Sequence, residues 1–420
     1  MIKPLLLSRS DSKGGAARAA YRLHRALLAS SVDSTMWVDH KSSDDWRVHA
    51  NQSKVGRALA LVRPTLDGLP TLLQRSEMHT HRSPGLLSSL TAQQINSASA
   101  DIAHMHWICG GYISIKQIGK IRKPIVWTLH DMWAFCGAEH LADAGDEARW
   151  KNGYSTNNRL TNDGGLDVDA WIWRRKQRYW KKSISLVTPS NWLADCAKKS
   201  ALFSGWPVSV IPNALDTSVF KPLNKQFCRA ALNLPQDVPI VTFGALAGSK
   251  DANKGFDLLL DALHHYINIH DAPQAHCVIL GQNEPQCPPS IPMPNSWLGH
   301  VADDATLALL YGASDVVVVP SRIENFPQMA TEAHACGIPV VAFAAGGLGD
   351  VVAAYSSGYL AKAYLPEDLA QGIAWVLGDS NRWNSLSEQA RMRAEKYWSF
   401  DVVSKQYIKL YSNVVSSLFI

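Results

Sequence analysis

The chain reads as an α/β protein of two doubly wound domains. Three observations predict this. The stretch 315–350 spells a strand, a helix and a second parallel strand. The N-terminus spells a strand, a Gly-rich loop and a helix. The length of 420 residues exceeds the size at which a single hydrophobic core keeps growing.

Composition agrees with a globular protein and narrows its partners. A hydrophobic content of 46% with 18% charged residues is ordinary. The net charge of +5, from 41 basic and 36 acidic residues, is too weak to argue for nucleic acid. No apolar run reaches membrane-spanning length. The start, MIKPLLLSRSD, is too short in its apolar part for a signal-peptide core and reads as a strand. The seven cysteines are odd in number and lack C-x-x-C spacing, which suggests reduced thiols, a cytoplasmic setting and no structural metal.

In chain order, the strand at 4–7 runs through SRSDSKGG into the helical AARAAYRLHRALL, whose Tyr21, Leu23, Leu27 and Leu28 form an apolar face. Gly14 and Gly15 permit close backbone approach, and free amides at a helix start suit phosphate. Residues 41–90, polar and interrupted by Pro64, Pro70 and Pro84, are expected to be an irregular lobe facing an acceptor. Strands follow at 102–106 and 125–129, the second ending in His130 and Asp131 at the carboxyl end, where ligands of such sheets bind. Asp131 either orients an imidazole or caps the next segment. His104 and His106 are expected to be structural.

The segment 170–182, AWIWRRKQRYWKK, holds six basic residues and four aromatics. It suits an anionic membrane surface and equally a solvated helix with its Trp residues packed inward. A strand at 185–188, a helix capped by Ser190 and a strand at 208–211 complete the first domain, which is expected to span 1–221. The second, 222–398, opens with a strand at 239–243 and a loop carrying Lys254 and Gly255 before an amphipathic helix. A Lys ammonium there suits a diphosphate, both in binding and as leaving-group charge develops. A strand at 276–280 and a helix at 304–311 lead into the unit at 315–350. A final amphipathic helix, 399–420, closes the chain.

In that unit, Val316–Val319 is an unbroken β-branched run of the kind buried on both faces of a parallel sheet. Pro320 and Ser321 end it. Pro327 tolerates a helix start, the Ala-, Met- and Glu-rich 328–336 continues it, and Gly337 stops it. Pro339 opens the next strand, closed by Gly346 and Gly347. Glu324 in the loop and Glu332 in the helix can face one crevice. A carboxylate only accepts hydrogen bonds, so the pair suits a ligand rich in hydroxyls. The backbone amides of Asn325, Phe326 and Gln328 suit hydroxyls or phosphate oxygens.

The run PSRIENFPQMATEA resembles the E-x7-E signature of retaining family-4 glycosyltransferases of GT-B fold. The segment HMHWICGGYISIKQI…KPIVWTLHDMWAF resembles bacterial glycosyltransferases of the colanic-acid and exopolysaccharide type. The resemblance implies that Glu324 approaches the donor hexose, Glu332 the nucleotide ribose, and the backbone around Asn325 and Phe326 the sugar hydroxyls. It places Gly14, Gly15 and Ala16 on the donor diphosphate, Lys254 on the leaving diphosphate, and His130 beside the reaction centre. It also implies a final helix that crosses back to the first domain. The sequence departs from the family in two places. Ala245 stands where an Arg is usual, with Lys250 as a compensating cation, and CGAEHLADAGDEARWKNG has only Cys136 and His140 where further metal-binding cysteines are usual.

The expected activity is retaining hexosyl transfer without a metal or cofactor, from a nucleotide sugar (UDP or GDP) to a hydroxyl of a glycan or lipid-linked oligosaccharide. The setting would be surface polysaccharide synthesis at the inner face of the membrane, with 170–182 as the contact. The alternatives are another GT-B enzyme, such as a sugar-nucleotide epimerase, or a non-catalytic sugar-binding relative.

Overall fold

The computed structural model describes residues 2–51, 53–76, 80–143, 145–244 and 251–416. Ala245 and Lys250 lie outside them. The chain forms two compact units, 1–213 with 403–420, and 214–402. The first division thus falls eight residues before the expected 221/222, and the second four residues after the expected 398/399.

The first unit carries nine strands: β1 (Pro4–Ser10), β2 (Thr35–His40), β3 (Val48–His49), β4 (Gln74–Arg75), β5 (Ile102–Met105), β6 (Ile125–Thr128), β7 (Gly164–Gly165), β8 (Ser185–Thr188) and β9 (Val208–Val210). Seven of them form a parallel sheet in the order β3-β2-β1-β5-β6-β8-β9, while β4 and β7 make a small antiparallel pair. The strand order runs outward in both directions from β1 and β5. Their adjacent carboxyl ends therefore form the topological switch point, where loops diverge and leave a crevice. The last helix, Phe400–Ser416, belongs to this unit from Val403 onward. Its Tyr411 hydroxyl bonds His104 Nδ1 at 2.7 Å, and its Tyr407 hydroxyl bonds Thr128 at 2.9 Å.

One expectation changes here. Residues 41–90 are not wholly irregular: Lys54–Gly68 is a helix, capped by Ser53 accepting from Gly56 N at 2.9 Å. Pro64 lies inside it, yet the helix runs on. Its carboxylate Asp67, buried, accepts from the amides of Gly85, Leu86 and Leu87 and anchors it. The basic segment follows the second of its two expected readings, a solvated helix with Trp residues packed inward: Arg174, Arg178, Lys181 and Lys182 stay exposed. In the helix Val168–Tyr179, Trp173 is buried, as is Trp180 just beyond it, and Lys176 is 0% exposed. The Lys176 ammonium donates to the carbonyls of Trp133, Cys136 and Gly137, tying down the loop that follows Asp131. A buried ammonium requires such partners.

The second unit carries β10 (Ile240–Gly244), β11 (His276–Leu280), β12 (Asn295–Trp297), β13 (Val316–Val319), β14 (Val340–Phe343) and β15 (Gly358–Ala361). They form a parallel sheet in the order β12-β11-β10-β13-β14-β15. β10 and β13 sit in the middle, with their side chains in the core on both faces. This is why Val316–Val319 reads as a continuous apolar run. The switch point of this sheet lies between the carboxyl ends of β10 and β13. No helix among the described residues is long and apolar enough to cross a membrane.

Candidate active site

The second unit builds its site at that switch point from two loops. The loop after β10 ends in a short 3-10 turn, Ala252–Lys254, with Asp251 capping Asn253 N at 3.0 Å. Gly255 then takes a left-handed φ of 66°. A Cβ there would lie 2.0 Å from the Pro320 carbonyl oxygen, so glycine is required by both strain and space. Asn253 zips the two loops together. Its amide nitrogen donates to Ile323 O at 2.8 Å, its amide oxygen accepts from Ile323 N at 3.0 Å, and its carbonyl accepts from Arg322 N at 2.8 Å.

These bonds bring Lys254 Nζ within 2.5 Å of Glu324 Oε1. The Glu324 charge raises the Lys254 pKa, outweighing the burial that lowers it. Ser321 adds a hydroxyl 3.3 Å from the same oxygen. Gly346 and Gly347 serve this loop as well. A Cβ on Gly346 would meet Glu324 O at 2.3 Å, and Gly347 N donates to that oxygen at 2.7 Å. The expected close approach of this Gly pair is to the Glu324 backbone.

The neighbouring residues divide between loop and core. Asn325 is buried, and the Phe326 ring packs edge-on against Trp398 at 5.8 Å, which pins the backbone between them and the helix Gln328–Ala335. Glu332 is 2% exposed and accepts from the Tyr311 hydroxyl at 2.7 Å. The structure therefore seats it within the unit, one helix turn deeper than the loop that holds Glu324.

The first unit builds differently. Ser10 ends β1, and its hydroxyl accepts from Ser12 N and Lys13 N, turning the chain into Gly14 at φ 89° and the helix Gly15–Ala29. A cavity of about 410 Å³ opens here, lined by Arg9, Lys13, Gly14, Gly15, Ala16 and Trp107 among others. His130, after β6, hydrogen-bonds through Nε2 to His106 Nδ1 at 3.0 Å, with their rings stacked 5.3 Å apart. The His104 ring lies against His106 at 4.3 Å, tilted by 37°. Burial depresses all three, His104 to about 3, His130 to about 4, and His106 well below its ordinary value. The column is neutral near pH 7, so each ring can both donate and accept.

Of the two roles open to Asp131, the structure shows the cap of the next segment. Its carboxylate holds His140 Nδ1 at 2.6 Å and Trp107 Nε1 at 3.0 Å, and caps Trp133 N at 2.9 Å. Burial pushes the Asp131 carboxyl up, but His140, Trp133 N and Trp107 together outweigh it and hold it below the ordinary carboxylate value. His140 passes the chain on to Ser83 Oγ at 2.8 Å.

The structure thus unites Lys254 with Glu324, and Gly14, Gly15 and Ala16 with one cavity. Three contributors escaped the sequence reading. Asn253 was legible only as a polar residue before Lys254. His106 carries the bond that fixes His130, visible as the second of two histidines two residues apart. Arg9 falls in the loop expected after a strand at 4–7, whereas the strand runs on to Ser10.

Two parallel sheets, each with side chains gathered at its switch point, define the class of two-domain nucleotide-sugar folds called GT-B. The comparisons name the family. The model of Glycosyltransferase Family 4 matches residues 13–219 and that of Glycosyl transferases group 1 matches 224–393. A D-inositol 3-phosphate glycosyltransferase of Xylanimonas cellulosilytica is 30% identical over 338 residues, covering 75% of this chain and 74% of the relative. Among solved structures, sucrose-phosphate synthase from Thermosynechococcus elongatus superposes with a TM-score of 0.69 at 19% identity, over 99% of this chain and 100% of that one. Anabaena HepE in complex with UDP-glucose gives 0.62 at 17%, over 98% and 100%. The chain belongs to the group 1 and family 4 glycosyltransferases.

Proposed function

We propose that this glycosyltransferase moves a hexosyl group from a UDP- or GDP-sugar to a hydroxyl of a glycan or lipid-linked oligosaccharide, with retention and without a metal. The observation that carries this reading is the Lys254–Glu324 pair at the switch point of the second unit. Lys254 there is a fixed positive charge for the diphosphate as it leaves. Glu324 accepts from sugar hydroxyls and keeps the ammonium in place before the donor arrives. Gly14, Gly15 and Ala16 offer a helix N-terminus to phosphate, Glu332 takes the ribose, and the backbone of Asn325 and Phe326 takes sugar hydroxyls. In the reaction, the bond from the anomeric carbon to the diphosphate oxygen breaks and the bond to the acceptor oxygen forms on the same face. The acceptor proton passes to the departing diphosphate. His130, held neutral by burial, is assigned a hydrogen-bonding role in the transfer, as the family resemblance implies.

Incubation with UDP- and GDP-sugars, read by release of nucleoside diphosphate and by the anomeric coupling in the product's proton spectrum, tests this. No release with any donor above a protein-free blank, or an inverted product, sinks it. A second acceptor class is favoured by the relative's name, D-inositol 3-phosphate, and belongs in the same assay beside lipid-linked acceptors.

Membrane contact is better placed on the helix Lys54–Gly68 than on 170–182. Val55, Leu59, Leu61, Val62 and Leu66 are exposed there beside exposed Lys54 and Arg57, a composition that suits an anionic lipid surface. Co-sedimentation with phosphatidylglycerol vesicles that survives Leu59→Ser with Val62→Ser would rule it out.

A further inference from the structure

The cavity at the switch point of the first unit contains a guanidinium, that of Arg9, whose Nε has no hydrogen-bond partner among the described residues. Arg9, the next-to-last residue of β1, lies with its guanidinium 5.9 Å from the centre of the Trp107 ring. Its other face lies against Gly110, where a Cβ would come within 2.9 Å of the guanidinium nitrogen. The guanidinium is thus held flat between an aromatic ring and a bare backbone. Its Nε is enclosed and bonds to no group among the described residues. The nearest acid, Asp39, is taken: Arg63 approaches both of its oxygens, at 3.1 and 3.2 Å, and Ser89 Oγ donates at 2.8 Å. Burial lowers the Arg9 pKa, Asp39 raises it and Arg63 lowers it. Arg9 and Lys13 line the cavity, and no carboxylate is among its lining residues.

An enclosed donor left without a partner is costly, and proteins keep few of them. A guanidinium matches the fork of a phosphate or carboxylate oxygen pair better than any other side chain. The cavity also opens onto Lys13 and the start of the helix Gly15–Ala29, both favourable to negative charge. At about 410 Å³ it holds more than one phosphate group, and Trp107 offers a wall for a sugar ring.

We infer that Arg9, assisted by Lys13, binds an oxyanion of a substrate in this cavity, a phosphate or a carboxylate. The inference rests on the glycosyltransferase reading only for the word substrate. The anion has two sources, the donor's diphosphate or an acidic group on the acceptor.

Calorimetric titration with UDP, D-glucose 6-phosphate, D-glucuronate and neutral D-glucose, on the full chain and on Arg9→Gln, Arg9→Lys and Lys13→Gln, separates these. Arg9→Gln is expected to weaken at least one anion ten-fold or more and to leave D-glucose unchanged. Arg9→Lys keeps part of the affinity, and Lys13→Gln loses less. Weakening of UDP alone assigns the donor. Weakening of glucose 6-phosphate or glucuronate with UDP unchanged assigns an acidic acceptor. If no anion is weakened by either Gln variant, or wild type holds no anion more tightly than D-glucose, the inference is overturned. Should Arg9→Gln fail to fold, Lys13→Gln on the exposed loop carries the test. Because binding is read without turnover, an inactive enzyme that still loses the anion in Arg9→Gln separates this failure from that of the transfer reaction.

Discussion

The two units solve the same problem, a ligand site at a switch point, with opposite electrostatics. The second presents a formed ion pair, Lys254–Glu324, fixed by Asn253, Gly255 and Gly346. The first presents a neutral column, His104, His106 and His130, stripped of charge by burial, and an Arg9 whose Nε has no hydrogen-bond partner among the described residues. The comparison teaches where charge is stored before substrate arrives. In the second unit it is stored in a compensated pair that exchanges one partner for another. In the first it waits on the ligand.

The largest test of that contrast is removal of the pair. Lys254→Ala and Glu324→Gln are each expected to lower transfer by about 10²–10³-fold, as for loss of a preorganised charge, with thermal unfolding near that of wild type. The double variant is expected to lose less than the two single losses combined, because the residues act together. Nucleoside diphosphate release measures both, and additive losses would show that the two groups work separately.

His130→Ala is expected to cost less, about 10–100-fold in kcat, since a neutral ring supplies hydrogen bonds where the pair supplies charge. His106→Gln should lower kcat by a smaller factor with donor KM unchanged, because it acts only through the orientation of His130. A KM effect alone would break the assignment. Gly255→Ala tests the scaffold instead. With φ at 66° and Pro320 O at 2.0 Å from the new Cβ, it should cost about 3 kcal/mol of stability, read by denaturant midpoint, and turnover should fall as Lys254 shifts.

The smallest effect is on pH. His81, His104 and His130 are lowered from 6.5 to about 4, 3 and 4 by burial. Between those values and 6.5 the unfolded chain binds more protons than the folded one, so stability is fully present above pH 6.5 and is lost as pH falls towards 4. The first unit holds five such depressed histidines among the described residues (His24, His81, His104, His106, His130), against His276 and His334 in the second. Amide protection, corrected for the slower intrinsic exchange at pH 5, should therefore fall first in the first unit relative to pH 7. Equal loosening of both would remove this difference.

Much of the architecture was legible because parallel sheets leave a simple mark. The valines at 316–319 face core on both sides, so no polar alternation interrupts them, and Pro327, Gly337 and Pro339 punctuate the elements around them. Lys254 and Glu324 were legible because each sits at a strand's carboxyl end. Less legible was amphipathic pattern without a partner in view. The basic, aromatic 170–182 left a membrane surface and an inward-packed helix equally open, and nothing local marked Lys176 as the one basic residue that three loop carbonyls hold inside. Pro64 suggested an irregular lobe, yet Asp67 anchors a helix there by three amides.

By itself the sequence determined the element order, the two parallel sheets and the loops that carry chemistry, since these follow from local periodicity and from turn residues. Only the tertiary structure decided which side chains meet: Asn253 bridging 70 residues to Ile323, Asp131 choosing His140, Arg9 lying against Trp107 and Gly110. Hydrogen-bond partners and desolvation depend on what chain folding brings near, and no short window of residues records that.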